Sequence, residues 1–462
     1  MPSVDRTDFY DVVVLGGGSA GYAAARTAYA QGRKVAVVEG AAEVGGLCIL
    51  RGCMPTKALL QAAEVQHLVR KSPLWGVRGK AGPPNFRAVM ARKDFLIEDF
   101  ARYRRDQLTD GRFDFLRHAA RFRNPSEIEL DSGRVIRASS FIIATGSTQA
   151  VPDLPGLREA GYWTSDDALA LRKLPKSILV LGGGAVAVEF AQFFARMGVE
   201  VTLVQRSAQL LKDFDPDAAD VLLQVFQREG MRVYTRTRLQ SAGRTQDGAR
   251  FVEFLHEEKL VRVEAEQILF ALGRMPATQS LELERAEVAT DSGRIRTNAE
   301  MRTTQPHIFA AGDCTGPFEI VNVAIQQGEI AAWNASHPDR PRSIDYRLVS
   351  HVVFTDPPLA MTGMTETKAQ SIGMAVRTAR YPFSDHGKSM IMDALDGFVK
   401  LLTDATNGEI VGACCVGPMG GELIHEIVVA MSQHLTAAQL AAIPHYHPTL
   451  AEIWTYPAEE LS

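Results

Sequence analysis

The sequence predicts an α/β protein: two Rossmann-like domains, each built on a parallel βαβ unit, followed by a C-terminal α+β domain. Three observations carry this. The β-branched apolar run Phe9-Tyr-Asp-Val-Val-Val-Leu15 leads straight into Gly16-x-Gly18-x-x-Gly21. The same arrangement returns 166 residues on (Gly16 to Gly182), where Ser177-Ile-Leu-Val-Leu181 leads into Gly182-x-Gly184-x-x-Ala187. Beyond about residue 342 the pattern changes to strand-like segments at Ser350 to Phe354, Phe398 to Leu402 and Ile410 to Val416, with Asn407-Gly408 as a hairpin signal.

In the first βαβ unit, an alanine-rich helix from Tyr22 to Gln31 ends at Gly32, and the strand Lys34 to Val38 runs into Glu39. The three glycines differ in what they permit. Gly16 allows the tight turn, Gly18 lets a pyrophosphate approach the backbone, and Gly21 lets helix and strand pack closely. Glu39, eighteen residues after Gly21, is placed to accept hydrogen bonds from an adenosine ribose. The glycine triplet, both strands and the acid together predict a dinucleotide site, with Ser19, inside the triplet, among its contacts.

Six residues beyond Glu39 begins Gly45-Gly-Leu-Cys-Ile-Leu-Arg-Gly-Cys-Met-Pro-Thr-Lys57, with Cys48 and Cys53 five positions apart. In an ordinary helix that spacing puts the two on different faces, so bridging them requires a distorted first turn, which Gly52 and Pro55 suit. A helix N-terminus and Lys57 both favour thiolate, the nucleophile of disulfide exchange. The stretch reads as a redox-active dithiol; two buried structural cysteines are the alternative that the spacing alone leaves open. Arg51, inside the loop, lowers a thiol pKa, meets an anionic substrate, or points to solvent.

Thr56 to Lys71 reads as an amphipathic helix. Phe86 to Asp110 reads as another, with Val89, Phe95, Ile97, Phe100 and Leu108 among its apolar positions, and Pro83-Pro84 separates the two. A β-rich region, Phe113 to Ser140, turns at Asp131-Ser-Gly133 and leads into Ser140-Phe-Ile-Ile-Ala-Thr145-Gly146, a buried strand ending in a glycine loop.

The second βαβ unit comprises the strand Ser177 to Leu181, a helix from Val186 to Met197 and the strand Glu200 to Val204. Two such units imply two nucleotide ligands, a flavin and a nicotinamide being one natural pair. At the ribose position stands Gln205, followed by Arg206 and, six further, Lys212. An uncharged residue beside cations suits a 2′-phosphate, so NADPH is preferred over NADH; the alternative is that both cations are solvated loop residues. Glu189 lies among Val186, Val188, Phe190 and Phe193. If buried it needs a partner, and Lys57 is the candidate.

With 462 residues the chain holds several cores, and 50 basic against 54 acidic residues are near balance, so neither nucleic acid nor an anionic membrane surface is indicated. The Arg-rich patch Arg102 to Arg123 is interrupted by Asp106, Asp110 and Asp114 and reads as a solvated face. Five cysteines do not make a disulfide scaffold and point to the reducing cytoplasm. Met1 to Tyr10 lacks a signal-peptide core, and the segment Ile427 to Ala451 is broken by polar residues and proline, so a soluble protein is expected.

Near the C-terminus, helices are expected at Gly421 to Gln433 and Thr436 to Ala442, followed by His445-Tyr-His447-Pro-Thr449-x-x-Glu452. Acid–base work by an imidazole oriented by a carboxylate fits this stretch better than a metal site, and no metal is assigned. Adjacent Cys414 and Cys415 on a strand point to opposite faces, which favours core packing, and Cys314 is expected to be buried.

Gly45-Gly-x-Cys48-x4-Cys53-x-Pro55-x-Lys57, the two fingerprints in this order, and Ala310-Ala-Gly312-Asp313 together resemble the flavin-dependent pyridine nucleotide–disulfide oxidoreductases, over essentially the whole chain. That resemblance implies an FAD-binding domain from residues 1–147 and 276–342, an NAD(P)-binding domain at 148–275, and a dimerisation domain at 343–462. It implies that Cys53 contacts the flavin and Cys48 attacks substrate. It implies that Asp313 binds the ribityl chain and that Lys57 and Glu189 stand by the flavin N5 and the nicotinamide. Gly46, Thr145, Gly146, Gly312 and Gly273 complete the cofactor contacts. Ala185 stands where glutathione reductases carry a tyrosine lid. His447 and Glu452 reach the dithiol of the other subunit, so the homodimer shares its active sites. The activity implied is electron transfer between NADPH or NADH and a disulfide or dithiol, most like dihydrolipoamide dehydrogenase acting on a lipoyl group. The alternatives are an NADPH-dependent reductase of another disulfide, mercuric ion or a quinone, and a redox-sensing flavoprotein without disulfide turnover. Glutathione ranks low, because Arg26 matches one recognition position but Asn334 replaces an arginine at another.

Overall fold

Val12, Val13 and Val14 lose all but a trace of their exposure in β1 (Asp8–Leu15), as a β-branched run buried on both faces requires. The computed structural model describes residues 8–80, 82–150 and 153–462; Met1–Thr7, part of the stretch read as lacking a signal-peptide core, lie outside the described residues. The chain divides into two compact units. The first is built from residues up to Pro55, Ala91–Ala150 and Gly273–Ile344, the second from Thr56–Met90, Val151–Leu272 and Asp345–Ser462.

In the first unit β1 pairs in parallel with β2 (Val35–Val38) and with β6 (Val135–Ile143), and β2 pairs with β3 (Asp114–Leu116). β4 (Ala120–Asn124) and β5 (Glu127–Leu130) extend the sheet antiparallel beyond β6, turning at Asp131-Ser132-Gly133, where Gly133 has φ +83°. Strand Ile308–Ala310 lies parallel on the C-terminal half of β6. The alanines of α1 (Ser19–Ala30) let helix Val321–Ser336 come close: a Cβ on Gly328 would lie 2.3 Å from the Ala20 carbonyl oxygen.

Two further helices carry the cysteines, α2 (Gly46–Leu50) and α3 (Cys53–Lys71), and α4 spans Phe86–Thr109. The buried stripe of α4 is Phe86, Met90, Lys93, Ala101 and Leu108, at helical spacing. Phe95 and Phe100, named among its apolar positions, are exposed because they fall off that stripe. Arg102 pairs with Asp99 and Arg105 with Glu98 on the solvated face.

The second unit contains a four-stranded parallel sheet in the order Arg232–Tyr234, Glu200–Val204, Ser177–Leu181, Gln267–Phe270. Helix Ala185–Arg196 buries Phe190, Phe193 and Phe194. A three-stranded antiparallel sheet, Thr237–Arg244, Arg250–His256 and Lys259–Ala265, was not expected from the sequence. A five-stranded antiparallel sheet runs in the order Ser350–Val353, Leu359–Gly363, Ile410–Val416, Phe398–Asp404, Val376–Pro382. Cys414 packs in the core on one face of this sheet and Cys415 in that on the other. Lys400, also buried, is ringed by Asp215, Asp217 and Glu366. Among the described residues no helix is long and apolar enough to cross a membrane.

Candidate active site

In the first unit the chain closes tightly behind β1. A Cβ on Gly16 (φ +107°) would lie 2.4 Å from the Ala144 carbonyl oxygen, and one on Gly21 would lie 1.8 Å from that of Gly16. Neither position tolerates a side chain. Glu39, buried at the end of β2, accepts hydrogen bonds from the backbone N–H groups of Gly17 and Ala41, both at 2.8 Å. Gly312 N–H donates to the buried Gln327 Oε1 at 2.7 Å. Asp313 accepts from Ser147 Oγ at 2.7 Å, and Arg274 Nε donates to the same Ser147 oxygen at 2.8 Å. Gly146 and Gly273 both have positive φ, and a Cβ there would meet nothing within 4 Å. Among the described residues, buried Thr145 Oγ1 and Gln149 Nε2 find no hydrogen-bond partner in the chain. A side-chain-free cradle rimmed by unsatisfied polar atoms fits a dinucleotide such as FAD.

The dithiol stretch is joined to this cradle. Gly46 (φ +74°) crosses the glycine turn so closely that a Cβ on it would lie 2.6 Å from Gly18 Cα. Cys48 sits in α2, which ends with Arg51 N–H bonded to Leu47 O at 2.8 Å, and Cys53 opens α3. The distorted turn expected between them is a break between two helices. Gly52 fills it because a Cβ there would press on Leu47 O at 3.0 Å. Both thiols are half-buried. Arg51, with three readings open in the sequence, pairs with Glu43, both side chains being exposed.

Arg104 departs from the solvated-face expectation: its guanidinium stacks 4.3 Å over the Tyr22 ring, and its buried Nη1 has no hydrogen-bond partner among the described residues. Burial lowers its pKa, and Tyr22 and Cys48 oppose that shift.

In the second unit the other glycine turn repeats the design. A Cβ on Gly182 (φ +118°) would lie 2.4 Å from Ala271 O, whereas Gly184 is open and Ala187 is fully buried. Gln205 is buried under this turn, its amide donating to Gln209 O at 3.3 Å and accepting from Arg206 N–H at 3.1 Å. Arg206, Lys212 and Ala185 are exposed. Glu189, 3 % exposed, receives Lys57 Nζ on both oxygens at 2.8 and 3.0 Å and the Phe354 N–H at 3.0 Å. Lys57 also lies 4.5 Å over the Phe354 ring. The partner expected for Glu189 is therefore in place, and Phe354 is an addition the sequence did not signal.

His447 is 77 % exposed, and its Nδ1 lies 2.9 Å from Glu452 Oε2. His445 turns the other way, to Glu426. Behind Glu452 stands a residue that the sequence reading missed. His386, fully buried, has Nε2 3.4 Å from Glu452 Oε1 and Nδ1 2.8 Å from Ser389 Oγ.

A duplicated dinucleotide fold, a glycine cradle fused to a cysteine pair and a five-stranded antiparallel sheet define a flavoprotein disulfide reductase, and the chain belongs to the pyridine nucleotide-disulphide oxidoreductase family, NAD(P)H-dependent enzymes. The family model matches residues 10–328, and the family's dimerisation domain matches 349–458, which indicates a homodimer. Among its relatives, dihydrolipoyl dehydrogenase of Thermus scotoductus is 36 % identical over 98 % of this chain and 97 % of its own. Mercuric reductase of Staphylococcus aureus is 34 % identical over 98 % of this chain and 83 % of its own. The Cu(II) complex of the HOCl-induced flavoprotein disulfide reductase RclA from Escherichia coli superposes with a TM-score of 0.86 at 26 % identity, covering 99 % of this chain and 100 % of that one.

Proposed function

We propose that this chain passes electrons between NADPH and a small disulfide or dithiol through Cys48 and Cys53, most like a dihydrolipoamide dehydrogenase. The observation that carries the reading is the crossing of Gly46 over Gly18, which fixes the dithiol turn to the dinucleotide cradle. FAD is assigned to residues 1–147 and 276–342, the pyridine nucleotide to 148–275, and the subunit contact to 343–462. Bound FAD supplies two-electron transfer between a nicotinamide and the cysteine disulfide. Cys48, as thiolate, attacks one sulfur of the substrate disulfide and forms a mixed disulfide as the first substrate thiolate leaves. Cys53 then attacks Cys48 sulfur, re-forming the Cys48–Cys53 bond and releasing the second thiolate. The partner subunit's His447 protonates the leaving thiolates from Nε2 while its Nδ1–H stays on Glu452. Lys57 and Glu189 are assigned to the flavin and nicotinamide rings.

Exposed Arg206 and Lys212 beside an uncharged Gln205 support NADPH. Arg26 is engaged by Glu329, and Asn334 is buried in bonds to the backbone of Glu300 and Arg342, so neither recommends glutathione. The chemistry suits a reducing cytoplasm.

Anaerobic addition of NADPH to the FAD-loaded protein is expected to give a long-wavelength thiolate–flavin band that Cys53→Ala abolishes; no band in the wild type sinks the disulfide reading. A panel of lipoamide, glutathione disulfide, coenzyme A disulfide, mercuric ion and quinones, run with both nicotinamides, ranks the substrate. Arg206→Ala is expected to lower the NADPH to NADH efficiency ratio, and an unchanged ratio refutes the 2′-phosphate assignment.

A further inference from the structure

Glu452 does not serve His447 alone. Its Oε2 meets His447 Nδ1 at 2.9 Å, and its Oε1 faces the Nε2 of a second imidazole, His386, at 3.4 Å. We propose that His386 is a positioning residue that holds Glu452 from behind and limits how much of its charge reaches His447. This rests on the acid–base reading of His447 and extends it to a residue nothing in the motif names.

Donor and acceptor capacity assigns the tautomer. At 3.4 Å the two atoms stand outside hydrogen-bond geometry, but a bare ring lone pair facing a carboxylate oxygen would be repelled, so the ring proton belongs on His386 Nε2. Nδ1 is then an acceptor, and Ser389 Oγ–H, itself fully buried, donates to it at 2.8 Å. One negative charge thus stands between two imidazoles, one exposed and one sealed. Burial pushes the pKa of His386 down, with Glu452 acting against that and His447 adding to it. His386 therefore faces Glu452 as a neutral imidazole. Among the described residues the surroundings supply no competing charge. Phe383 and Tyr456 present ring edges to His386 at 6.4 and 6.3 Å, and the neighbouring Asp385 is held by the Tyr381 hydroxyl. The titratable groups facing His386 among the described residues are Glu452, His447 and Tyr456.

A buried N–H facing Glu452 at 3.4 Å offsets part of the carboxylate charge that His447 feels, so its removal is expected to make His447 more basic. The test follows the Cε1–H signal of His447 against pH in the FAD-loaded dimer carrying ¹³C-labelled histidine, the signal being assigned by its loss in His447→Gln. His386→Phe is expected to raise the His447 titration midpoint by about 0.5 pH unit. His386→Gln restores a donor near the Nε2 position and is expected to stay within about 0.2 unit of wild type. Ser389→Ala, a milder change for use if the Phe variant does not fold, is expected to shift the midpoint in the same direction. An unchanged or lowered midpoint in whichever of His386→Phe and Ser389→Ala folds, or equal shifts in the Phe and Gln variants, overturns the proposal. The underlying reading is judged apart: full lipoamide reduction by His447→Gln would remove the acid–base role of His447, whatever the midpoints do.

Discussion

Replacing Lys57 with methionine is expected to destabilise the protein far more than replacing its partner Glu189 with glutamine. Glu189 is 3 % exposed and is held by three contacts, two from Lys57 Nζ and one from Phe354 N–H. Methionine keeps the stem packing but leaves a buried carboxylate with one donor, a loss of about 3 kcal/mol at the lower end for a broken buried pair. The lysine side chain is 31 % exposed, so once Glu189 becomes glutamine its ammonium reaches water, and the amide oxygen still accepts from Phe354. That change is expected to cost about 1 kcal/mol. The asymmetry, about 2 kcal/mol, is the quantity to measure. Urea unfolding followed by circular dichroism and by tryptophan fluorescence, at fixed protein and FAD concentration, reads it if the two probes coincide. In Lys57→Met combined with Glu189→Leu, about 1 kcal/mol or more of the lysine variant's loss should return. Equal losses in the two single variants, or a larger loss for Glu189→Gln, would show that the buried carboxylate is not what makes the pair matter.

Gly21→Ala forces a Cβ to 1.8 Å from Gly16 O, so it should purify with little flavin, seen as a low 450 to 280 nm absorbance ratio; full loading would contradict the cradle. Lys400→Met should cost about 3 kcal/mol, because Asp215, Asp217 and Glu366 lose their shared cation. Burial works against the charge of Lys400, but bonds to Asp217 and Glu366 and the charge of Asp215 hold its pKa above the ordinary value. Its contribution is therefore complete below an unfolded-state pKa of about 10.4 and lost only as pH rises through the folded value, so the deficit should be the same at pH 7 and 9. His67, His351 and His386 all have their pKa lowered, by burial first. The unfolded chain then binds more protons than the folded one, so the thermal midpoint should fall as pH drops from about 6.5 to 5, less steeply in His386→Gln.

The parts of this fold that repeat a local rule were legible in the sequence. Strands Ser177–Leu181, Glu200–Val204 and Ile410–Val416 begin and end where the apolar runs do, and α4 ends one residue before Asp110. Neighbouring residues with fixed backbone geometry, such as Gly16, Gly18 and Gly21, carry their meaning in their spacing. What escaped reading depends on partners distant in sequence. His386 sits in a short turn and acquires its role from Glu452, 66 positions on, while Arg104 leaves its arginine patch only because Tyr22 lies under it. The exposure of Phe95 was not legible either, since a helix pattern gives apolar positions but not the edge at which the neighbouring surface stops. Lys57 was legible from its place after the cysteines and as the partner a buried Glu189 would need, and the family resemblance added only its place beside the flavin and nicotinamide.

The placement of sulfur has a practical consequence. Cys314, Cys414 and Cys415 are sealed in cores, and burial pushes their thiols to about 11, to about 12 and well above the ordinary value, respectively. At neutral pH these three are almost wholly protonated and out of reach of solution reagents. The native chain therefore has two chemical populations of cysteine. With the proposed Cys48–Cys53 disulfide formed, a brief alkylation should label these two only after reduction, and the three silent thiols should appear only on unfolding. The same chain thus carries its own internal standard: the fraction of active-site disulfide in a sample can be read as a ratio of label at two sites to label at three, with no reference protein.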